Sequence, residues 1–441
     1  MKPSSPRRIL LVKPSSMGDV IHALPVVAAL HQHWPHAEIR WLIHPAWSEL
    51  VEGNAAVSQV ILFPRENFRG IFGWGRSLLW ARTLREWRPD LAIDLQGLLR
   101  SALMARLSGA SKVLGLSDAR EGASLFYSAT VSVNSNDHAV KRYLSVLDLL
   151  GVPHQTPEFY LPEGKLPHGF SIRLLSKIAC ADEVQGVDGA QKLSVQELLD
   201  ASGADISSPS LRDAVETDEA RRTKDFDAGL YVSYCLSPNS SPTQHSSGLP
   251  QVVVDGDETI RPNTGATKQF AAEVDFGKQS IQEPFIVIHP YARGEGKNLT
   301  KEQVAAFAEE LGTMPLVLVG KGESMKNLPS NVSDWSGKTS LLELIGLLRR
   351  AAFIVSSDSG PMHLAVAIQP SRTLAIHRWS DPLRVGPWAK ESLVWKQGEV
   401  LRSDQLTEAF RMPGRTPTLE EMREIGRKIC RKLTGMAEKE C

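Results

Sequence analysis

Two places in the chain carry the residue types that chemistry needs. One is Asp19, a lone carboxylate in Lys13-Pro14-Ser15-Ser16-Met17-Gly18-Asp19-Val20. The other is the loop Asp358-Ser359-Gly360-Pro361-Met362-His363. Both follow the same local order of apolar run, small-residue loop and helical pattern. Ile9 to Val12 reads as a short buried parallel strand, Pro14 and the Ser pair break it, and Gly18 is expected to let the backbone turn tightly. Val20 to Leu30 then reads as a helix. Phe353 to Ser356 is the strand before the second loop. Strand, small-residue loop and helix N-terminus together make an anion or substrate site, because the first helical N–H groups lack partners and the dipole favours negative charge.

Asp19 has two readings. In one it is a first-turn acid favoured by the helix dipole, worth about 0.3–1 kcal/mol. In the other it is a general base at the mouth of a cleft; the dipole keeps it ionised and also weakens it as a base. The second loop has the N–H groups and the close-approaching Gly to hold a diphosphate, or it is a tight turn capped by Asp358. Lys297, after the strand Phe285 to His289, can place a cation on the same phosphates, or is simply exposed. A basic run, Arg65, Arg69, Arg76, Arg82, Arg85 and Arg88, is broken by Glu66 and Glu86 and interleaved with Phe68, Phe72, Trp74 and Trp80. It is either a solvated helix face or a surface for carboxylates and phosphates, which guanidinium binds in bidentate fashion.

These residues need an alternating α/β frame. Strands are expected at 38–43, 58–63, 90–95 and 112–116, with helices at Trp80 to Trp87, Leu98 to Leu107 and from His138 towards Gly151. Alternation of this kind means a parallel sheet with right-handed crossovers. A second such set follows: helix Lys301 to Gly312 capped by Thr300, strand Leu316 to Gly320, helix Ser340 to Arg350, and strand Thr373 to His377. The C-terminal helix, Thr418 to Leu433, is expected to pack back across the first domain. Between the two sets, residues 164–283 are rich in Ser, Asp, Gly, Gln and Thr. They read as a polar, partly disordered insertion with a short helix at Leu193 to Ala201, a strand at Gly229 to Leu236 and a flexible loop at Ser237 to Pro250. The expected domains are therefore 1–163, 164–283 and 284–441.

A length of 441 residues allows two cores, and 42% hydrophobic with 23% charged residues is ordinary for a soluble globular protein. Lysines plus arginines and aspartates plus glutamates both number 50, so no global attraction to nucleic acid or membrane is implied. Cys180, Cys235, Cys430 and Cys441 form no C-x-x-C, which fits a reducing compartment and argues against structural zinc. The N-terminal apolar run is too short for a signal segment, and no stretch approaches the roughly 18 apolar residues of a membrane span. G-x-G-x-x-G is absent after the first strand, so a dinucleotide site there is not expected.

Four motifs carry a resemblance: Lys13-x-x-Ser16-Met17-Gly18-Asp19-Val20-x-His22-x-Leu24-Pro25, Asp94-x-Gln96-Gly97-Leu98-x-x-Ser101, Arg120-Glu121-x-x-x-Ser124-Leu125-Phe126-Tyr127, and Asp358-Ser359-Gly360-x-x-His363-Leu364. Across residues 7–162 and 284–435 the chain resembles glycosyltransferase family nine, the lipopolysaccharide heptosyltransferases, and the middle two motifs look most like heptosyltransferase I. The resemblance implies a GT-B fold: two Rossmann-like lobes whose parallel sheets face an interlobe cleft, the acceptor held by the first lobe and the nucleotide sugar by the second. It implies an inverting, metal-independent transfer of heptose from ADP-heptose to the Kdo region of a lipid A glycolipid, with no cofactor and no nucleic acid. Asp19 would be the general base. Lys297 and the N–H groups at Ser359 and Gly360 would meet charge on the diphosphate, and Asp358, His363 and Glu323 would complete the donor site. Ser16, Gly18, His22, Gln96, Arg65, Arg69 and Arg120 would hold the acceptor. The implied location is cytoplasmic, peripheral on the inner face of the inner membrane.

Two stretches depart from the family pattern. Relatives often carry a Thr pair before the donor-loop Lys and a Trp after it, where this chain reads His289-Pro290-Tyr291-Ala292-Arg293-Gly294-Glu295-Gly296-Lys297-Asn298-Leu299. Their Gly-Pro-Thr-Asp-Pro turn is His377-Arg378-Trp379-Ser380-Asp381-Pro382 here, and Trp379 either stacks on adenine or fills the core. The rival readings are a family-nine transferase using another nucleotide sugar or core position, a non-catalytic glycolipid-binding protein, and a two-lobe sugar epimerase.

Overall fold

The structure, a computed structural model, describes residues 5–63, 80, 82–178, 252–253, 268–275, 284–294 and 296–434. Arg65, Arg69 and Arg76 with their neighbouring aromatics, and the elements expected between Leu193 and Pro250, lie outside the described residues.

The first sheet contains β1 (Arg8–Val12), β2 (Glu38–Ile43), β3 (Gln59–Leu62), β4 (Leu91–Asp94), β5 (Lys112–Leu116) and β6 (Ala129–Val131) in the order β3-β2-β1-β4-β5-β6, all parallel. Its central strands are apolar without alternation because both faces are covered. The helices that follow strands include α1 (Met17–His33), α2 (Leu99–Leu107) and α3 (Ala139–Leu144), the last continued by a 3₁₀ turn that ends at Gly151 in the left-handed region. Pro25 sits inside α1, where it removes one rung of the ladder.

A separate three-stranded antiparallel sheet is formed by β7 (Ser171–Ile178), β8 (Val252–Val253) and β9 (Lys268–Asp275), in the order β7-β9-β8. Part of the stretch read as polar linker is thus sheet. It belongs to a compact unit of its own, Ser171–Gln279, distinct from the unit made by Met1–Phe170 with Ser280–Cys441.

The second large sheet repeats the first. It contains β10 (Ile286–His289), β11 (Leu316–Leu318), β12 (Val332–Asp334), β13 (Phe353–Ser357), β14 (Thr373–Ile376), β15 (Leu393–Lys396) and β16 (Glu399–Arg402). The order is β12-β11-β10-β13-β14-β15-β16, parallel except for β16. Its helices are α4 (Lys301–Glu309), α5 (Leu341–Arg350), α6 (Gly360–Ile368), the single turn α7 (Pro382–Val385) and α8 (Leu419–Thr434). Thr300 and Ser340 cap α4 and α5 through their hydroxyls. The C-terminal helix does not cross to the first lobe as expected. Met422, Ile425, Ile429 and Cys430 join the core of the second lobe, and Gly426 lets α8 approach the Phe307 carbonyl of α4. Four apolar residues at helical spacing define a buried face but not which lobe buries it.

Among the described residues no helix is long and apolar enough to cross a membrane. Both large sheets reverse strand order at one point, between β1 and β4 and between β10 and β13. Ligands of such sheets bind outside the carboxyl ends of the strands at that reversal. Asp19 and the Asp358 loop both follow strands at these points.

The two lobes meet where α1 and α6 begin. A Cβ on Gly18 would lie 2.5 Å from His363 Cδ2, and one on Gly360 would lie 2.7 Å from Met17 Sδ. Gly18 is not a turn residue as expected: it lies inside α1 without a positive φ, and what it supplies is space. Residues 161–165 run along α5, with the Arg349 guanidinium donating to the Leu161 and Pro162 carbonyls and the Lys165 N–H donating to the Leu342 carbonyl.

Candidate active site

Asp19 stands in the first turn of α1 and lines a cleft of about 370 Å³ with Lys13, Asp94, Gln96, Gly97, Arg120, Arg142 and Tyr143. The second lobe adds Arg384, from α7. Asp19 Oδ2 accepts from the Ser16 N–H at 3.0 Å and the Ser16 hydroxyl at 2.8 Å. Its Oδ1 accepts from the Tyr143 hydroxyl at 2.9 Å, and Lys13 Nζ lies 3.9 Å from the same oxygen. Burial pushes the carboxyl up, but Lys13, the two Ser16 donors and Tyr143 outweigh it and hold it below the usual carboxylate value. The side chain remains 38% exposed, so a ligand in the cleft can reach it. Both readings of Asp19 therefore meet in one geometry: it bonds the helix N-terminus and it opens into a cleft.

Asp94 is the instructive contrast. It is fully buried, and its oxygens accept from Tyr127 and Ser101 hydroxyls and from the Gln96 and Gly97 N–H groups. An ionised carboxylate has about four acceptor sites. Asp94 uses all of them within the protein, and burial pushes its carboxyl up. Asp19 uses three. Asp94 thus ties three stretches together: the loop carrying Gln96, the start of α2, and the segment leading from Arg120 to Tyr127. Gly115 makes room, since a Cβ there would strike the Tyr127 ring. Gln96 in turn accepts from the Ser15 N–H at 3.3 Å.

Lys13 is buried against Asp19 and 5.0 Å from the Tyr143 ring centre, and desolvation lowers its pKa against the pull of Asp19 and Asp94. Arg142 pairs with Asp118, and its Nε has no hydrogen-bond partner among the described residues. Lys13, Arg142, Tyr143 and Arg384 are not among the residues expected at the site. Lys13 had a readable signal, a charge directly at the end of a buried strand. The others have none locally: Tyr143 and Arg384 reach the cleft from distant segments.

His22 and Gly18 do not line this cleft. His22 is buried, and its Nε2 lies 3.0 Å from His363 Nδ1 across the lobe boundary. His138, the N-cap of α3, packs 5.3 Å from His22 and hydrogen-bonds the Gly386 carbonyl of the second lobe at 3.0 Å. Desolvation pushes His22 well down, and His138 and His363 down to about 4.

In the second lobe, Ser359 caps α6, and its hydroxyl lies 3.3 Å from His289 Nδ1. Asp358 sits beside it. Burial raises its carboxyl, but His377, the Ser380 hydroxyl, His363 and Lys297 hold it low. Lys297 stands in the loop after β10 and acts on Asp358 and His377 through its charge. Glu323 is exposed in the loop after β11, where its backbone carbonyl accepts from Tyr291. Trp379 is 46% exposed and so does not fill the core.

Two doubly wound sheets, in separate lobes that meet at the starts of α1 and α6 beside a carboxylate, define the two-lobed GT-B class of glycosyltransferase fold. A solved family 9 glycosyl transferase from Veillonella parvula superposes with a TM-score of 0.59 at 14% identity, covering 97% of each chain. The E. coli heptosyltransferase WaaC with ADP-2-deoxy-2-fluoro heptose gives 0.52 at 19% identity, over 88% of this chain and 93% of that one. The profile of glycosyltransferase family 9 (heptosyltransferase) matches residues 78–171 and 243–407, and the chain belongs to that family. The lipopolysaccharide heptosyltransferase 1 of Pseudomonas aeruginosa is 38% identical over 142 residues, 31% of this chain and 40% of that protein. The chain spans less than half the length of the first curated relatives it matches.

Proposed function

We propose that this chain transfers heptose from ADP-heptose to the Kdo and inner-core region of a lipid A glycolipid, inverting the anomeric centre. Residues 1–163 would hold the acceptor and 284–441 the donor, with 164–283 between them. The observation that carries the reading is Asp19. It is kept ionised by three hydrogen bonds and a lysine, retains one acceptor site, and lies in a cleft completed by Arg384 of the other lobe. The acceptor hydroxyl gives its proton to Asp19 Oδ1, and its oxygen attacks the anomeric carbon. The bond from that carbon to the β-phosphate oxygen breaks, and the electron pair leaves on ADP. Lys297 and the N–H groups at Ser359 and Gly360 meet the charge that grows on the diphosphate. Asp358, His363 and Glu323 belong to the donor side. Gln96, Arg120, Arg65, Arg69 and the groups around Ser16, Gly18 and His22 belong to the acceptor side. Because the acceptor sits in a bilayer, the reading implies peripheral contact with the inner face of the inner membrane, from the cytoplasm.

The donor in the WaaC structure supports ADP-heptose, and the chain's membership of the same family supports the transfer. The altered donor loop at 289–299 favours a second reading, the same transfer from another nucleotide sugar. Mass spectrometry of truncated lipopolysaccharide incubated with the protein and, separately, ADP-heptose, UDP-sugars and GDP-sugars decides between them by the mass added. Asp19→Ala is expected to lower transfer by at least ~10³-fold while ADP-heptose binding stays within a few-fold. Transfer by that variant near the parent rate removes Asp19 as the base. Binding of glycolipid with no added mass from any donor makes the chain a glycolipid-binding protein. Donor turnover without acceptor makes it an epimerase.

A further inference from the structure

Arg378 follows β14 and is 3% exposed. Its Nη1 donates to the carbonyls of Gly296 at 2.9 Å and Asn298 at 2.8 Å, the residues on either side of Lys297. Its own carbonyl accepts from the buried Lys396 Nζ at 2.9 Å and from the Gly414 N–H at 2.6 Å, so the backbone that carries it is fixed. Its Nη2 is buried with no hydrogen-bond partner among the described residues. Burial lowers the guanidinium pKa to about 10 against the pull of Asp358, which leaves it cationic at neutral pH.

A buried charged donor without an acceptor is costly, more so than an unpaired neutral one. This one shares a rigid planar fork with Nη1 and so lies against the same loop as Lys297. The loop, α6 and the turn at 377–381 all leave the carboxyl ends of β10, β13 and β14, adjacent strands at the order reversal. An incoming ligand with anionic oxygens supplies the acceptor that Nη2 lacks. We propose that Arg378 is a second diphosphate-binding cation of the donor site, with Nη1 fixing the loop around Lys297 and Nη2 donating to a diphosphate oxygen. The inference rests on the donor reading above and adds Arg378 to it.

Calorimetric titration with ADP and with adenosine tests it on the full chain. Arg378→Gln is expected to weaken ADP at least tenfold and leave adenosine within twofold. Added to Lys297→Gln, it is expected to weaken ADP further, since Nη2 makes its own contact. Arg378→Lys keeps the charge but cannot bridge both loop carbonyls and reach the diphosphate, so it should fall between parent and Arg378→Gln; it also serves if the Gln variant does not fold. Unchanged ADP affinity in the variants overturns the inference. So does equal loss of ADP and adenosine, the mark of a merely structural role, or no added loss in the double variant. A parent that binds no ADP overturns the donor reading itself, whereas a parent that binds ADP with variants that match it overturns only the role of Arg378.

Discussion

A carboxylate that accepts three hydrogen bonds is a weak base, and Asp19 is held in that state by residues that can be removed singly. The Tyr143 hydroxyl favours the ionised form, so losing it must raise the Asp19 pKa. If transfer needs ionised Asp19, Tyr143→Phe should move the acid limb of the kcat/KM profile to higher pH, by up to about one unit, and leave the alkaline limb in place. A profile that does not move would place the proton-accepting group elsewhere. At this scale the sequence was legible only where neighbours in space are neighbours in the chain. Ser16 and Asp19 are three residues apart and could be read together. Tyr143 is 124 residues from Asp19, and no local pattern announces the bond. Asp94 is saturated by four donors, and that shows only when Tyr127 and Ser101 are seen around it.

At the scale of elements, two glycines hold the lobes at contact distance, and both should resist alanine. The His363 ring in the way of a Gly18 Cβ is pinned by its bond to His22, and a Gly360 Cβ would meet not only Met17 Sδ but Met17 Cβ at 2.9 Å, an atom fixed to the backbone. Gly18→Ala and Gly360→Ala are each expected to cost about 1–3 kcal/mol in urea unfolding followed by circular dichroism. No loss in either variant would mean that the lobes part at that contact without cost. Most strands and helices of both sheets were legible, because a strand covered on both faces is a continuous apolar run and α4 and α5 begin with hydroxyl caps. The strands β6, β12, β15 and β16 were not. Ala129–Val131 and Val332–Asp334 are three residues each, too short to set a period, and Glu399–Arg402 is half-exposed at the sheet edge. Only pairing with a neighbour distinguishes them from loop.

For the molecule as a whole, the lobe boundary is a titratable surface. His22, His138 and His363 meet there from α1, the start of α3 and α6, with Lys13, Asp19, Asp358 and His377 acting on one or another of them. A single proton bridges His22 Nε2 and His363 Nδ1; a second would set two donors against each other. His138 and His363 titrate at about 4 when folded and burial pushes His22 down too, so in the window from about 6.5 to about 4 set by the first two the unfolded chain binds more protons. Stability is then complete above that window and is lost as pH falls through it, by about 1.4 kcal/mol per pH unit for each histidine. Melting curves from pH 7.5 to 4.5 should show the loss, and His22→Gln should make it shallower. A slope unchanged by that variant would mean the boundary histidines are protonated without penalty.

The chain leaves the second lobe at Phe170 and rejoins it at Phe285. These two rings lie 5.7 Å apart and both are buried. A phenylalanine Cα lies about 4 Å from its ring centre, so the backbones at 170 and 285 are at most about 13 Å apart, a gap that four or five residues at about 3.5 Å each can bridge. Within the unit made by Met1–Phe170 and Ser280–Cys441, the two ends of the break in the chain thus lie side by side. Replacing residues 171–284 by a short Gly-Ser bridge should yield a protein that still melts cooperatively, within a few degrees of its parent. The same seam would accept a foreign domain in exchange, a reporter or an affinity handle, without asking either lobe to move.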